Sequence, residues 1–140
     1  MRIALVILTL LACQFQISAQ NNAVFGFEKT VLKFPKAEGG DVLYFTYKFK
    51  NTGSAPLIIS DIKVACSCTT PAWPEYPIMP GKSDSITVEF NTKTVWGWQE
   101  KELRIYSNAS ESYTSVYFKG TVKKGEYVKK VQAEDKRRGD

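Results

Sequence analysis

Val42-Leu43-Tyr44-Phe45-Thr46-Tyr47-Lys48-Phe49-Lys50 alternates without a break. In an extended chain Val42, Tyr44, Thr46 and Lys48 take one face and Leu43, Phe45, Tyr47 and Phe49 the other, so the second set points to a core. The stretch is a half-buried β-strand, and its neighbours repeat the pattern. Asn51-Thr52-Gly53-Ser54 turns the chain, after which Leu57 to Ala65 alternates again with an ambiguous inward face around Asp61, where a bulge or bend is expected. Upstream, Val24 to Phe27 and Val31 to Phe34 are short strands, the second stopped by Pro35, and Glu38-Gly39-Gly40-Asp41 is a turn.

Downstream, the segment from Pro71 to Pro80 also holds Pro74 and Pro77; it cannot be a central strand and reads as a loop. Met79-Pro80-Gly81-Lys82 is a turn in which proline presets φ at the second position and glycine supplies positive φ at the third. Ile86, Val88 and Phe90 then alternate with Thr87 and Glu89, Asn91 to Gly97 connects, Glu100 to Ser107 is a strand, and Asn108-Ala109-Ser110-Glu111 turns into Tyr113 to Val122. Seven to eight short strands at such intervals predict an all-β fold, an immunoglobulin-like two-sheet β-sandwich.

Three segments follow from composition. Met1-Arg2 and the apolar run Ile3 to Ala12 read as a secretory signal peptide over residues 1–19, too short for a spanning helix. Cleavage after Ile17-Ser18-Ala19 is favoured over a lipobox reading of Leu10-Leu11-Ala12-Cys13, which would leave Cys13 as a lipidation candidate. Residues 20–122 form the sandwich domain, and residues 123–140 a basic, flexible C-terminal tail. The expected address is therefore exported: periplasmic, envelope-associated or secreted, with no transmembrane span in the mature protein.

Most of the net charge of +5 arises in that tail. Residues 20–122 carry 11 Lys and Arg against 10 Asp and Glu, whereas residues 123–140 carry Lys123, Lys124, Lys129, Lys130, Lys136, Arg137 and Arg138 against Glu126, Glu134, Asp135 and Asp140. A nearly neutral body and an export address argue against nucleic acid as a partner. Membrane contact is expected only through lipidation or through the basic tail, and the latter would weaken as salt screens exposed charges.

The chain has no histidine, which excludes Ser-His and Cys-His nucleophiles and His-ligated zinc. The concentrated reactive chemistry is Cys66-Ser67-Cys68, at the end of the strand that begins at Leu57. On an extended strand the two Cα atoms would stand about 6.6 Å apart at about 3.3 Å per residue, near the upper limit for a disulfide, so a bridge requires a bend. Three readings stand side by side: semi-buried packing residues or a local structural bridge, a redox pair in an oxidising compartment, and a Cu(I) site with Met79 as a distant thioether.

Trp73, Tyr76, Trp96 and Trp98 fall in connections and are candidates for a glycan- or protein-binding patch, or else cover the ends of the core. Asp84-Ser85-Ile86 and Asn108-Ala109-Ser110 match short glycosylation patterns, and Glu100 with Glu102 reads as a solvated face rather than a glycosidase pair.

Phe49-Lys50-Asn51-Thr52-Gly53, Pro56-Leu57-Ile58-Ile59, Cys66-Ser67-Cys68-Thr69, Ile78-Met79-Pro80-Gly81-Lys82, Val88-Glu89-Phe90-Asn91-Thr92 and the strand Lys101 to Asn108 together resemble the bacterial domain-of-unknown-function family 1573. The resemblance covers roughly Asp41 to Val122. It implies a secreted or envelope-anchored Ig-like domain related to PapD-like and ASH modules, and names no activity and no cofactor. Ser67 stands where that family often has glycine, which bears on how the backbone bends between the cysteines. The expectation is a non-enzymatic module that binds an unidentified envelope protein or glycan through a sheet edge or the Trp-bearing loops, with strand addition at an edge as the mode the PapD-like resemblance implies; the alternative is a thiol module, for redox exchange or Cu(I), using Cys66 and Cys68.

Overall fold

A computed structural model of the chain describes residues 22–109 and 112–138. The signal segment with Cys13 lies outside the described residues, as does Ser110 of the Asn108 pattern. Eight strands form two four-stranded sheets: β1 (Phe25–Phe27), β2 (Val31–Lys33), β3 (Val42–Asn51), β4 (Ile59–Val64), β5 (Thr69–Ala72), β6 (Ser83–Asn91), β7 (Gly97–Ser107) and β8 (Thr114–Val122). One sheet runs β1-β3-β6-β5, the other β2-β8-β7-β4. This is the expected Ig-like sandwich, with β1 and β2 splitting the first segment between the sheets. β1 pairs antiparallel with β3, and β2 pairs parallel with β8.

Phe45, Tyr47 and Phe49 of β3 are buried, while Val42 and Tyr44 on the other face are exposed, as the alternation requires. They meet Ile86, Val88 and Phe90 of β6 and, from the opposite sheet, Leu103, Ile105, Val116 and Phe118. The bend expected at Asp61 is a register shift between Ile59 and Asp61 that turns Ile59 and Ile62 both inward. Gly81 has φ +77°, and the Lys82 N–H donates to the Met79 carbonyl at 3.0 Å, the turn expected there.

Two expectations are corrected. The proline segment is not wholly loop: Thr69–Ala72 is a strand, which admits Pro71 because β5 is an edge. Trp98 lies within β7, not in a connection. The basic tail carries a helix, α1 (Glu126–Arg138), with acidic Glu126 in its first turn and Lys136, Arg137 and Arg138 in its last. That arrangement complements the helix dipole. Gly39 and Gly125 approach so closely that a Cβ on either would strike the other's backbone, and Val128 is buried beside them; beyond Val128 every described helix residue is exposed.

Tyr47 is the anomaly of the core. Its ring is 1% exposed and its hydroxyl has no hydrogen-bond partner among the described residues. Burial pushes the phenol pKa well above the ordinary tyrosine value. Because an unpaired buried hydroxyl costs about 1–3 kcal/mol, Tyr47→Phe is expected to leave stability unchanged or raise it by about 1 kcal/mol in urea unfolding. The pH dependence has a definite sign. The folded protein holds this proton while the unfolded chain releases it above pH about 10, so the wild type loses about 1.4 kcal/mol per pH unit there. Tyr47→Phe lacks that increment, and parallel pH profiles for the two proteins would refute the assignment.

Candidate functional site

The cysteines sit in the crossing from β4 to β5. The Cys66 carbonyl accepts from the Thr69 N–H at 3.1 Å, which closes a turn over Ser67 and Cys68. The bend brings the Cα atoms to 5.2 Å, and Cys66 and Cys68 are joined as a disulfide. No residue other than glycine has positive φ among the described residues, so Ser67 meets no left-handed requirement. Cys68 packs against the core and Cys66 does not, and both are half-buried. The Cys68 N–H points at Cys66 Sγ from 3.1 Å.

A bridge that closes so short a loop removes little unfolded-state entropy, about 1.5 kcal/mol by the loop-closure relation. Cys68→Ser is therefore expected to keep the fold and lower stability by no more than about 1.5 kcal/mol, measured by thermal and urea unfolding. A larger loss would make the bridge chiefly structural. Copper would need the bridge reduced, and no cluster of three or more His, Cys, Asp or Glu suited to a metal occurs among the described residues.

The four aromatic candidates do not converge. Trp73 packs against the core, and Tyr76 donates to Asp84 Oδ2 at 2.7 Å near the start of β6. Trp96 and Trp98 lie at the start of β7, near the end of β6 and hence at the other end of the sandwich. Lys124 Nζ stands 5.8 Å from the Trp96 ring and Lys93 Nζ 5.2 Å from the Tyr127 ring, so these residues help dock α1. Trp98 stays 64% exposed on its sheet face.

Glu102 and Glu100 confirm a paired surface rather than an acid-base site. Glu102 Oε1 accepts from Ser115 at 2.7 Å and Tyr117 at 3.2 Å, and Oε2 from Arg104 Nε at 2.9 Å; Glu100 pairs with Lys119 at 3.5 Å. The Ser115 hydroxyl, followed by Arg104, holds the Glu102 carboxyl below its usual range. It is ionised at neutral pH and so is no proton donor, whereas a glycosidase acid needs the opposite shift.

In both glycosylation patterns the leading side chain is engaged within the fold. Asp84 is occupied by Tyr76 and by the Ser85 N–H at 2.8 Å. Asn108 is a clip: Oδ1 accepts from the Ile58 N–H and Nδ2 donates to the Pro56 carbonyl, both at 2.8 Å, so its amide nitrogen is already engaged.

What the sequence alone does not give is which sheet edge stands open. β5 is blunted, because its edge-facing positions are Thr69, whose N–H is spent in the cysteine turn, and Pro71, which has none. β4 carries its bulge and the exposed Lys63, and β2 is three residues long and ends near Pro35. β3 is different. Its odd-numbered residues bond to β6, as the Asn51 N–H to the Lys82 carbonyl shows at 2.9 Å, so its even-numbered residues face the other way. β1 covers only the far end of that side, and the last bond is from the Glu28 N–H to the Lys48 carbonyl at 3.1 Å. The N–H and C=O groups of Val42, Tyr44 and Thr46 have no strand beside them among the described residues. A cleft of about 210 Å³ lined by Glu28, Lys29, Leu32, Thr46 and Lys48 opens at the end of this edge.

Against known proteins, the model of the family described as "Protein of unknown function (DUF1573)" matches residues 25–122. The chain belongs to this family. The match covers all eight strands and stops before α1, so the DUF1573 unit is the sandwich itself. No curated protein matches the chain significantly. Among solved structures, a protein of unknown function from Porphyromonas gingivalis superposes with a TM-score of 0.65 at 16% identity, over 76% of this chain and 50% of that one. The ASH / PapD-like domain of human CEP192 gives 0.59 at 9% identity, over 79% and 93%. The secreted serine protease VesC of Vibrio cholerae gives 0.53 at 14% identity, over 74% and 23%. The DUF1573 chain thus spans half or less of the two bacterial proteins, and at these identities the likeness shows the fold alone. No helix among the described residues is long and apolar enough to cross a membrane.

Proposed function

We propose that this DUF1573 protein is an exported, non-enzymatic Ig-like module that recognises a protein partner by strand addition at the open edge of β3. The observation that carries the reading is the row of outward backbone groups at Val42, Tyr44 and Thr46 left uncovered by β1, while the four edge strands themselves are either three residues long, as β1 and β2 are, or blunted, as β4 and β5 are. Main-chain hydrogen bonds supply affinity in this mode, and alternate side chains supply specificity. Tyr44, 72% exposed, stands at the centre of the row. A glycan patch on the tryptophans has less support, because those residues lie at two ends of the sandwich and two of them serve packing or helix docking.

The test is photocrosslinking in the native host, with a benzophenone side chain at Tyr44 and, as a control, at Thr70 on the blunted β5 edge. A discrete adduct from position 44 that Thr46→Pro abolishes is the expected result. No adduct, or equal labelling from position 70, refutes the edge reading.

A second reading rests on the half-buried Cys66–Cys68 bridge, which suits thiol exchange in an oxidising compartment. It predicts opening by a mild dithiol with the fold retained. A bridge that resists reduction until the protein unfolds would assign it to structure.

A further inference from the structure

We infer that the open β3 edge pairs with the same edge of a second copy, giving a two-fold dimer in which the β1-β3-β6-β5 sheets run on as one. The inference rests on the edge reading above and names its occupant. Length sets the register. Glu28 already occupies the position beside Lys48, so a new antiparallel strand has room only along Val42 to Thr46. Hydrogen-bonded pairs must join outward-facing residues, here the even-numbered ones. The one register that is symmetric, fits this span and joins such residues throughout places Tyr44 against Tyr44 of the partner subunit and Val42 against Thr46 of the partner subunit.

Side-chain chemistry agrees with that register. On the outer face it sets tyrosine beside tyrosine and valine beside threonine, aromatic and β-branched pairs that favour sheets. On the inner face Leu43, at the core margin, meets Phe45 of the partner subunit, which is apolar and buried in the core. The stretch itself holds no charge, proline or glycine, the devices by which edges normally avoid pairing. The charges that flank it are opposite in sign, with Asp41 before Val42 and Lys48 after Tyr47, and antiparallel pairing brings the acidic end of one copy to the basic end of the other. A closed two-fold contact uses each edge once and leaves none open, which is the commonest form of soluble oligomer.

Sedimentation equilibrium on the mature protein tests this. A monomer–dimer equilibrium with Kd below about 1 mM is expected, as for a small interface. Thr46→Pro removes an outward N–H without touching a β6 bond and is expected to weaken the dimer about 100-fold, whereas Thr70→Lys on the β5 edge leaves it unchanged. Should the proline variant fail to fold, Tyr44→Cys decides, because cysteines at the two-fold position stand within disulfide reach and oxidise to a covalent dimer, whereas Thr70→Cys does not. A protein that stays monomeric to 1 mM, or a dimer indifferent to both edge variants, overturns the inference. The photocrosslink separates the two levels: an adduct of twice the chain mass supports self-pairing, an adduct of any other mass leaves strand addition standing and removes the second copy, and no adduct removes both.

Discussion

Replacing Asn51 by alanine is expected to lower the free energy of unfolding by about 3–4 kcal/mol, among the largest effects of any polar substitution in this protein. The side chain is 0% exposed and every part of it is in use. Nδ2 donates to the Ala55 and Ile78 carbonyls, both at 2.8 Å, and Oδ1 accepts from the Gly53 N–H at 3.0 Å and the Val24 N–H at 3.4 Å. One residue at the end of β3 thus ties down the lead into β1, the turn into β4 and the loop before β6. Truncation leaves carbonyls and N–H groups without partners in a site closed to water, so the loss is the desolvation cost of those groups rather than the modest net worth of one hydrogen bond. Urea unfolding should show a lower midpoint at unchanged slope. A loss below about 1 kcal/mol would mean that water replaces the amide, and that the three segments are held by their backbone bonds alone.

Phe118→Ala is expected to cost about 3–5 kcal/mol, against a total stability of about 5–15 kcal/mol for a domain of this kind. Phe118 stacks on Phe45 at 4.5 Å between centroids and meets Phe90 at 5.0 Å and Phe34 at 6.5 Å, so it joins the two sheets at the centre of the aromatic core. Phe34 has little room to close the gap, because it already presses on the Cα of Gly120, where an added Cβ would lie 2.6 Å from the Phe34 carbonyl oxygen. A cavity that cannot collapse keeps its full penalty. Phe118→Leu, which retains most of the volume, should cost less than half as much; equal losses for the two variants would point to the aromatic contacts rather than to the cavity.

Export remains the natural setting for such a module, and the disulfide suits it. The segment on which export rests, residues 1–19, lies outside the described residues, so intact mass from the native host is the direct check. Lipidation at Cys13 keeps the residues from Cys13 onward and adds acyl mass, while cleavage after Ala19 starts the chain at Gln20.

Alternation and turn chemistry are local properties, and they carried most of the architecture. The inward set of β3, the bend at Asp61, the turn at Gly81 and every strand but β5 follow from side-chain period and from the few residues that suit a turn. The motif series also pointed to the family. One local reading was overruled from a distance, and another was incomplete. Pro71 reads as a strand breaker, yet it sits in β5 because the side of that strand away from β6 needs no N–H. The tail reads as solvated charge, and its described charged residues are exposed, but it also holds α1, which begins where Gly39 admits Gly125 and buries Val128.

The sites were less legible than the fold. Asn51 reads as a turn residue, and nothing nearby reveals that Ile78 will bring it a carbonyl from 27 positions away. Thr92, equally buried, clips Gly40 and Asp41 from 52 and 51 positions away. The open edge of β3 is invisible in the chain, since the stretch that alternates so plainly from Val42 to Lys50 says which face is buried and nothing about its flanks. Periodicity reports the direction perpendicular to a sheet. Neighbours within the sheet are set by pairing between distant segments, so only the tertiary structure decides that β1 stops at Phe27 and leaves Val42, Tyr44 and Thr46 with their hydrogen-bonding groups turned outward.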